Sequence, residues 1–436
     1  MAGPFDAATI HQIGKSLREP EWVTELRHKA LAHHAELPWP HPSDDVWRRI
    51  DVSLLDPSRG FAPVTPSLLQ SIQLTESQLG QFTRPLGDEL LFVRANGAWV
   101  TRARADGFAV EELSEAAQRR PEATRHIIES DGFSEPEQKL SSLNTAFHHD
   151  DVVVQIPANY VGTRPVRLVH LLSARPKQAL FPMTLIRVGA GSSVTLIDEY
   201  VSVGEGSANE PHLVNGRIEL VVEPGAHVHY IRLQRWDLRA REFLLAKADV
   251  AKEATLTMAN LNLGASISKA HIITRLTGER ASTKLYGFVF GHGSQHVDQH
   301  TLQDHRSPRT DSDLQFRAAL QDKSRMVYTG LIRIAPEAKE THAFQSNHNL
   351  LLSDSARAET IPMLEILADD VQCKHGASIG PIDEEQTFYL TSRGIPREVA
   401  QRLIVMGFIE PIIQHIPFEP LQQRLREEIE GVLQTP

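Results

Sequence analysis

The densest run of metal-competent side chains in this 436-residue chain is GHGSQHVDQHTLQDH. It carries His292, His296, His300 and His305, together with Asp298 and Asp304. Imidazole and carboxylate groups are ligands for divalent metals. Groups four residues apart share a face on a helix, and they also share one on a strand, where side chains alternate. No HExxH pattern accompanies them. The chain has 21 histidines, so some clustering arises without a metal. A structural hydrogen-bonding role is therefore favoured, with a divalent-metal enzyme as the alternative.

The second cluster is DDVQCKHGASIGPIDEEQTFYLTSRGI, which holds the one cysteine, Cys373, two residues before His375. On a strand these two point the same way and Lys374 points oppositely. A thiolate favoured by a nearby cation is a nucleophile or a soft metal ligand. A lone cysteine is more commonly a small buried apolar group. The charges of Asp369, Asp370, Lys374 and His375 tilt the balance toward function. Hydrolysis by Cys373 with His375 as base is poorly supported, because residues this close on one strand rarely reach triad geometry. There is no Walker A sequence and no GxGxxG ahead of a helix, so ATP or dinucleotide binding in the usual way is not expected. The pair Glu384-Glu385 reads as a solvated turn.

The elements that must position these groups follow from composition and pattern. Lys plus Arg number 45 against 55 Asp plus Glu, a formal charge of -10, which argues against a nucleic-acid binder. One cysteine excludes an intrachain disulfide and any cluster site built from several thiolates of this chain alone. No signal-peptide pattern and no membrane-spanning apolar run is present, so a soluble, cytoplasmic protein with no membrane contact is expected. Residues 1–140 read as mostly helical. In EPEWVTELRHKALAHHAELPWP, Trp22, Leu26 and Ala30 make one face. The segment VEELSEAAQRRPEATRHII also reads as helix. Asn96-Gly97 between apolar runs marks a hairpin. Residues 141–392 hold short Val/Ile/Leu/Thr-rich runs such as DVVVQIP, VRLVHLL and RIELVVE, separated by turns at GAGSSV, EPGAHV and GERAST. These fit a β-sandwich, barrel or solenoid. A turn spacing near 30 residues suits a β-helix with variable corners better than a propeller. Residues 393–436 read as helical. Pro396 opens one helix and Gly407 closes or kinks it. Pro420 opens another, with Leu421, Leu425, Ile429 and Leu433 on one face.

The run PMLEILADDVQCKHGASIGPIDEEQTFYLTSRGIPREVAQRLIVMGF closely resembles the SufB/SufD family, the scaffold subunits of the SUF iron–sulfur cluster assembly system. DQHTLQDH, TDSDLQFRAALQDKSRMVYTGLIRIAPEAKETHAFQSNHNLLLS and LNTAFHHDDVVVQIP extend the resemblance over nearly the whole chain. Cys373-Lys374-His375-Gly376 followed by Phe388-Tyr389-Leu390 resembles the SufD type. SufB-like chains place a sulfur-receiving cysteine where Leu390 stands. The resemblance implies a mainly β fold: a right-handed parallel β-helix flanked by helical N- and C-terminal domains. It implies a non-catalytic scaffold that pairs with a SufB-like paralogue and docks a SufC-like ABC ATPase, which binds the ATP. A homodimer is a further option. No cofactor is expected to stay bound to the chain alone. A transient iron–sulfur cluster at the subunit interface would place His375, with Cys373, as ligand or stabiliser. ATPase docking would involve Pro396, Leu403, Phe408, Leu421, Leu425 and Ile429, or the leucines would only pack against this chain's own body.

Overall fold

The computed structural model describes residues 5–72, 74–105, 107–129, 133–203 and 210–434. The apolar runs of the middle region are strands, and their pairing defines the architecture. From Pro182 onward each strand pairs in parallel with the strand two places further along the chain, not with its immediate neighbour. A parallel pair needs a crossover connection, and here the crossover is itself a strand of the opposite sheet. Two sheets, of eleven and ten strands, thus wind into a β-solenoid of about 8 turns. The register is regular in the later coils: His271 lies beside His300, and His300 beside Thr329, each 29 residues on.

Corners need backbone that turns without a ladder partner. GAGSSV and EPGAHV turn at Gly191 (φ 66°) and Gly225 (φ 68°), a region that glycine enters freely. GERAST turns at Arg280 (φ 58°), whose guanidinium is held by Glu253 at 2.6 Å.

Alternate side chains fill the lumen. Val228, Leu256, Leu285, Leu314 and Phe316 belong to one continuous apolar core. The outer faces are covered by helices on both sides, which explains why the strands read as unbroken apolar runs. The N-terminal helices pack outside the first sheet: Trp22 and Leu26, on the helix Glu21–Glu36, meet Ile127 and Met183. The C-terminal helices pack outside the second sheet through Ile231, Phe288 and Phe290. The hairpin forms as predicted, Leu90–Ala95 against Ala98–Arg102, with Asn96 at φ 53° and Gly97 at φ 82°.

Two expectations need correction. VEELSEAAQRRPEATRHII is not one helix. A strand, Ala109–Glu112, precedes the helices Leu113–Arg119 and Pro121–Ile128. Pro121 forbids helical backbone at Arg120, which sits at φ -140°, ψ 62°. The C-terminal helices begin at Glu384, before Arg393, because the Asp383 side chain accepts the N–H groups of Glu385 and Gln386 as a cap. The next helix, Arg397–Ile413, runs through both Gly407 and Pro411.

The early lumen also holds buried charge. Asp150 and Asp198 grip the two ring nitrogens of His170 at 2.8 and 3.1 Å. Tyr200 and Tyr230 donate their hydroxyls to Asp198, and Arg94 donates to Asp150. Burial alone would lower the His170 pKa, but hydrogen bonds and charge from the two carboxylates reverse this and raise it to about 9. A histidine whose pKa rises on folding contributes stability that is complete below its unfolded value near 6.5 and is lost as pH climbs through the folded value. The expected loss between pH 7 and 9.5 is about 3 kcal/mol at most. Melting curves of the wild type and His170→Gln across that range test this. The wild type should lose stability more steeply than the variant, and parallel curves would refute the assignment.

Candidate functional site at the open end of the solenoid

The chain leaves its last coil unfinished. Arg357–Ile366 ends the first sheet and Val371–Pro381 ends the second. Each is bonded on one side only, among the described residues. The ladder register fixes which of their side chains face the lumen. Cys373 lies beside Ala343, His375 beside Gln345, and Ile379 beside Asn349. Leu364 and Ile366 lie beside Ile332 and Ile334 on the opposite strand. In earlier coils such positions are buried. Here Leu364, Ile366 and Ile379 are 38%, 41% and 43% exposed. The mouth of the solenoid is therefore an apolar surface rimmed by two unpaired strand edges.

Cys373 and His375 sit on that mouth. They point to the same side, with Lys374 opposite, as the strand alternation requires. The Cys373 side chain packs against the small cluster of Ile332, Ile334 and Ala343 and is half-buried, whereas His375 is exposed. Burial raises the thiol pKa. The cation-stabilised thiolate expected from the neighbouring charges is thus not what the local environment favours, since Lys374 faces away. One thiol and one imidazole are a soft and a borderline donor, sufficient to contribute to a metal or cluster site but not to complete one.

The four histidines of the 292–305 segment do not share one centre. His292 lies in the corner before the strand His296–His305. His296 and His300 share the outer face, but four residues along a strand separate them by roughly 13 Å. His305 faces the lumen, where its ring nitrogens reach Thr310 and Ser312 at 2.8 Å each, and burial lowers its pKa to about 3. His300 instead approaches His271, one coil earlier, with ring centroids 4.8 Å apart. That neighbour is invisible in linear spacing and becomes legible only through the 29-residue coil.

The C-terminal helices divide the remaining candidates. Leu421, Leu425 and Ile429, on the helix Glu419–Gln434, are 0%, 1% and 2% exposed and pack on the second sheet. They brace this chain's own body. Pro396 and Leu403 are exposed, and Phe408 is half-buried. Leu403 and Phe408 line a groove of about 560 Å³ with Leu350, Pro381, Leu390 and Ile404. Phe388 and Tyr389, which sequence reading noted only as part of a motif, stand on the neighbouring helix at 72% and 58% exposure. No helix among the described residues is long and apolar enough to cross a membrane.

Comparison with known proteins agrees with this arrangement. Residues 170–408, the solenoid through the first part of the C-terminal helices, match the family model described as SUF system FeS cluster assembly, SufBD core domain. An iron–sulfur cluster assembly SufBD family protein of Staphylococcus saprophyticus is 24% identical over 97% of this chain and 92% of its own length. The iron–sulfur cluster assembly protein SufD of Escherichia coli is 31% identical over 55% of this chain and 56% of its own length. A SufBD family protein of Synechocystis is 30% identical over 66% of this chain and 65% of its own. With a family match across most of the solenoid and this parallel coil architecture beneath it, the chain belongs to the SufBD family of the SUF iron–sulfur cluster assembly system.

Proposed function

We propose that this chain is a non-catalytic scaffold subunit whose open solenoid end pairs with the matching end of a cysteine-bearing, SufB-like paralogue. The observation that carries the reading is the unfinished last coil. Unpaired edges invite strand addition, and the exposed Leu364, Ile366 and Ile379 between them need a cover. A second solenoid end supplies both at once.

The nascent iron–sulfur cluster is cargo in this reading. His375 and Cys373 contribute from one side, and the paralogue supplies the thiolates that this chain lacks. Four ligands are the norm for such clusters, so two chains must pool them. A homodimer would use the same edges but, beside a second His375, would bring Cys373 as its one added thiolate. A SufC-like ABC ATPase, which binds the ATP, docks at the groove of Leu403 and Phe408 with Pro396 nearby. Leu421, Leu425 and Ile429 stiffen the helical layer behind that groove. The complex works in the cytoplasm.

Anaerobic purification of the full-length tagged chain from its own cells is expected to recover both partners. Ile379→Asp should release the paralogue and keep the ATPase, and Leu403→Asp should do the reverse. Recovery of the chain only as a homodimer would contradict the pairing. His375→Ala should lower cluster yield by tenfold or more, roughly the effect of disturbing a metal site, while stability moves by less than about 0.5 kcal/mol. Unchanged cluster yield would remove His375 from the site. Leu425→Asp should cost about 3 kcal/mol or more, because it buries an unpaired carboxylate. A folded Leu425→Asp variant of wild-type stability that had lost the ATPase would return that helix face to the docking surface.

A further inference from the structure

Beneath the N-terminal helices, on the outer face of the first sheet, three buried ligating side chains converge: Glu137, His271 and His300. The ligand atoms they offer lie within 4.8 Å of one another. His271 and His300 are register neighbours on adjacent coils, on the strands Ile267–Leu276 and His296–His305. Glu137 comes from the first turn of the helix Glu135–Phe147. Its Oε2 accepts the Ser134 N–H at 2.7 Å, and its Oε1 lies 2.9 Å from His271 Nδ1.

Hydrogen bonding does not account for this cluster. Among the described residues, neither ring nitrogen of His300 has a hydrogen-bond partner, nor does His271 Nε2. A neutral imidazole carries one N–H and one lone pair, and leaving a buried polar group unmet costs about 1–3 kcal/mol. Unmet ring nitrogens on two adjacent histidines beside a carboxylate, closed over by Trp47 (4.9 Å from the His271 ring) and Phe243 (5.7 Å), call for an occupant that is neither apolar nor anionic. The neighbouring cation, Lys269, is already engaged by Asp298 at 2.9 Å and by the Val46 carbonyl at 2.6 Å. Burial also disfavours the charged form of both histidines, so each ring offers a lone pair.

Glu19, His148 and Asp151 form a second convergent set. There the guanidinium of Arg27 sits among them, 2.6 Å from Glu19 and 2.9 Å from His148 Nδ1. That set already has its cation. Among the described residues, the first set has no side chain in that role.

We propose that Glu137, His271 and His300 form a binding site for a first-row divalent transition cation such as Zn²⁺, which staples the N-terminal helical region to the solenoid. Two imidazoles and one carboxylate suit Zn²⁺ or Fe²⁺ and are a poor match for Mg²⁺ or Ca²⁺, which prefer all-oxygen shells. Bonds of about 2.0–2.2 Å require ligand atoms roughly 3–4 Å apart, so small side-chain rotations close the set. The site is separate from the solenoid mouth and does not depend on how that mouth is used.

The test uses the full-length chain, stripped with chelator, dialysed and titrated with Zn²⁺, and separately with Co²⁺ as a spectroscopic probe. The wild type should retain one equivalent of Zn²⁺ through gel filtration, melt at a higher temperature with Zn²⁺, and give a visible Co²⁺ absorption band. Glu137→Gln keeps the helix-capping geometry, and His300→Gln keeps a similar volume. Each should weaken Zn²⁺ binding by about 100-fold or more, with the far-ultraviolet circular dichroism unchanged. His296→Ala, on the same strand face but outside the set, should bind as the wild type does. Absence of stoichiometric Zn²⁺ on the wild type would overturn the proposal. So would equal binding by the wild type and a folded His300→Gln variant, which would place the metal elsewhere among the histidines. If both glutamine variants unfold, the Co²⁺ spectrum of the wild type decides, since a spectrum lacking imidazole ligation would equally reject the site.

Discussion

Parallel pairing between strands one coil apart is the constraint on which the rest of this molecule depends. It lets every coil satisfy its backbone groups through the next, but the last coil has no successor. The N-terminal end is closed within the chain: the hairpin strand Leu90–Ala95 pairs with Val166–Leu172 and is backed by Ala98–Arg102. The C-terminal end is left with two free edges and a mouth of apolar side chains. Soluble proteins usually blunt such edges. Here they stay long and carry His375, Cys373 and Ile379, and the proposed pairing rests on that exposure.

The helical layers follow from the same geometry. A parallel sheet buried on both faces needs cover outside as well as inside. The N-terminal helices cover the first sheet and the C-terminal helices cover the second. Leu421, Leu425 and Ile429 are consumed by that duty, whereas the groove at Leu403 and Phe408 and the nearby Phe388 and Tyr389 remain accessible apolar surface of the C-terminal helices. Placing buried ion pairs inside this frame costs desolvation and demands close geometry. His170 between Asp150 and Asp198, and Arg27 among Glu19 and His148, meet that demand.

Much of this was legible in the chain itself. The strand runs, the Asn96-Gly97 turn, the face of Trp22, Leu26 and Ala30, and the shared side of Cys373 and His375 all follow from local periodicity. What local pattern does not carry is contact across coils. A strict spacing of four made His296 and His300 look like partners, whereas extended backbone holds them apart and sets His300 against His271. Likewise the leucine stripe of the last helix shows that a face is buried but not what buries it. Only the stacked register and the packing of Ile231, Phe288 and Phe290 answer that. Leu364, Ile366 and Ile379 look like ordinary core residues in sequence, because their exposure comes solely from being in the final coil.

Hydrogen–deuterium exchange of the full-length chain, alone and with a SufB-like paralogue, tests the central claim most directly. If the open coil is the pairing surface, amides of residues 357–366 and 371–381 should exchange readily in the free chain and become protected by about tenfold or more in the complex. The outer helices at 397–413 should change little until the ATPase is added. Protection that spares both terminal strands while the complex is formed would contradict the account.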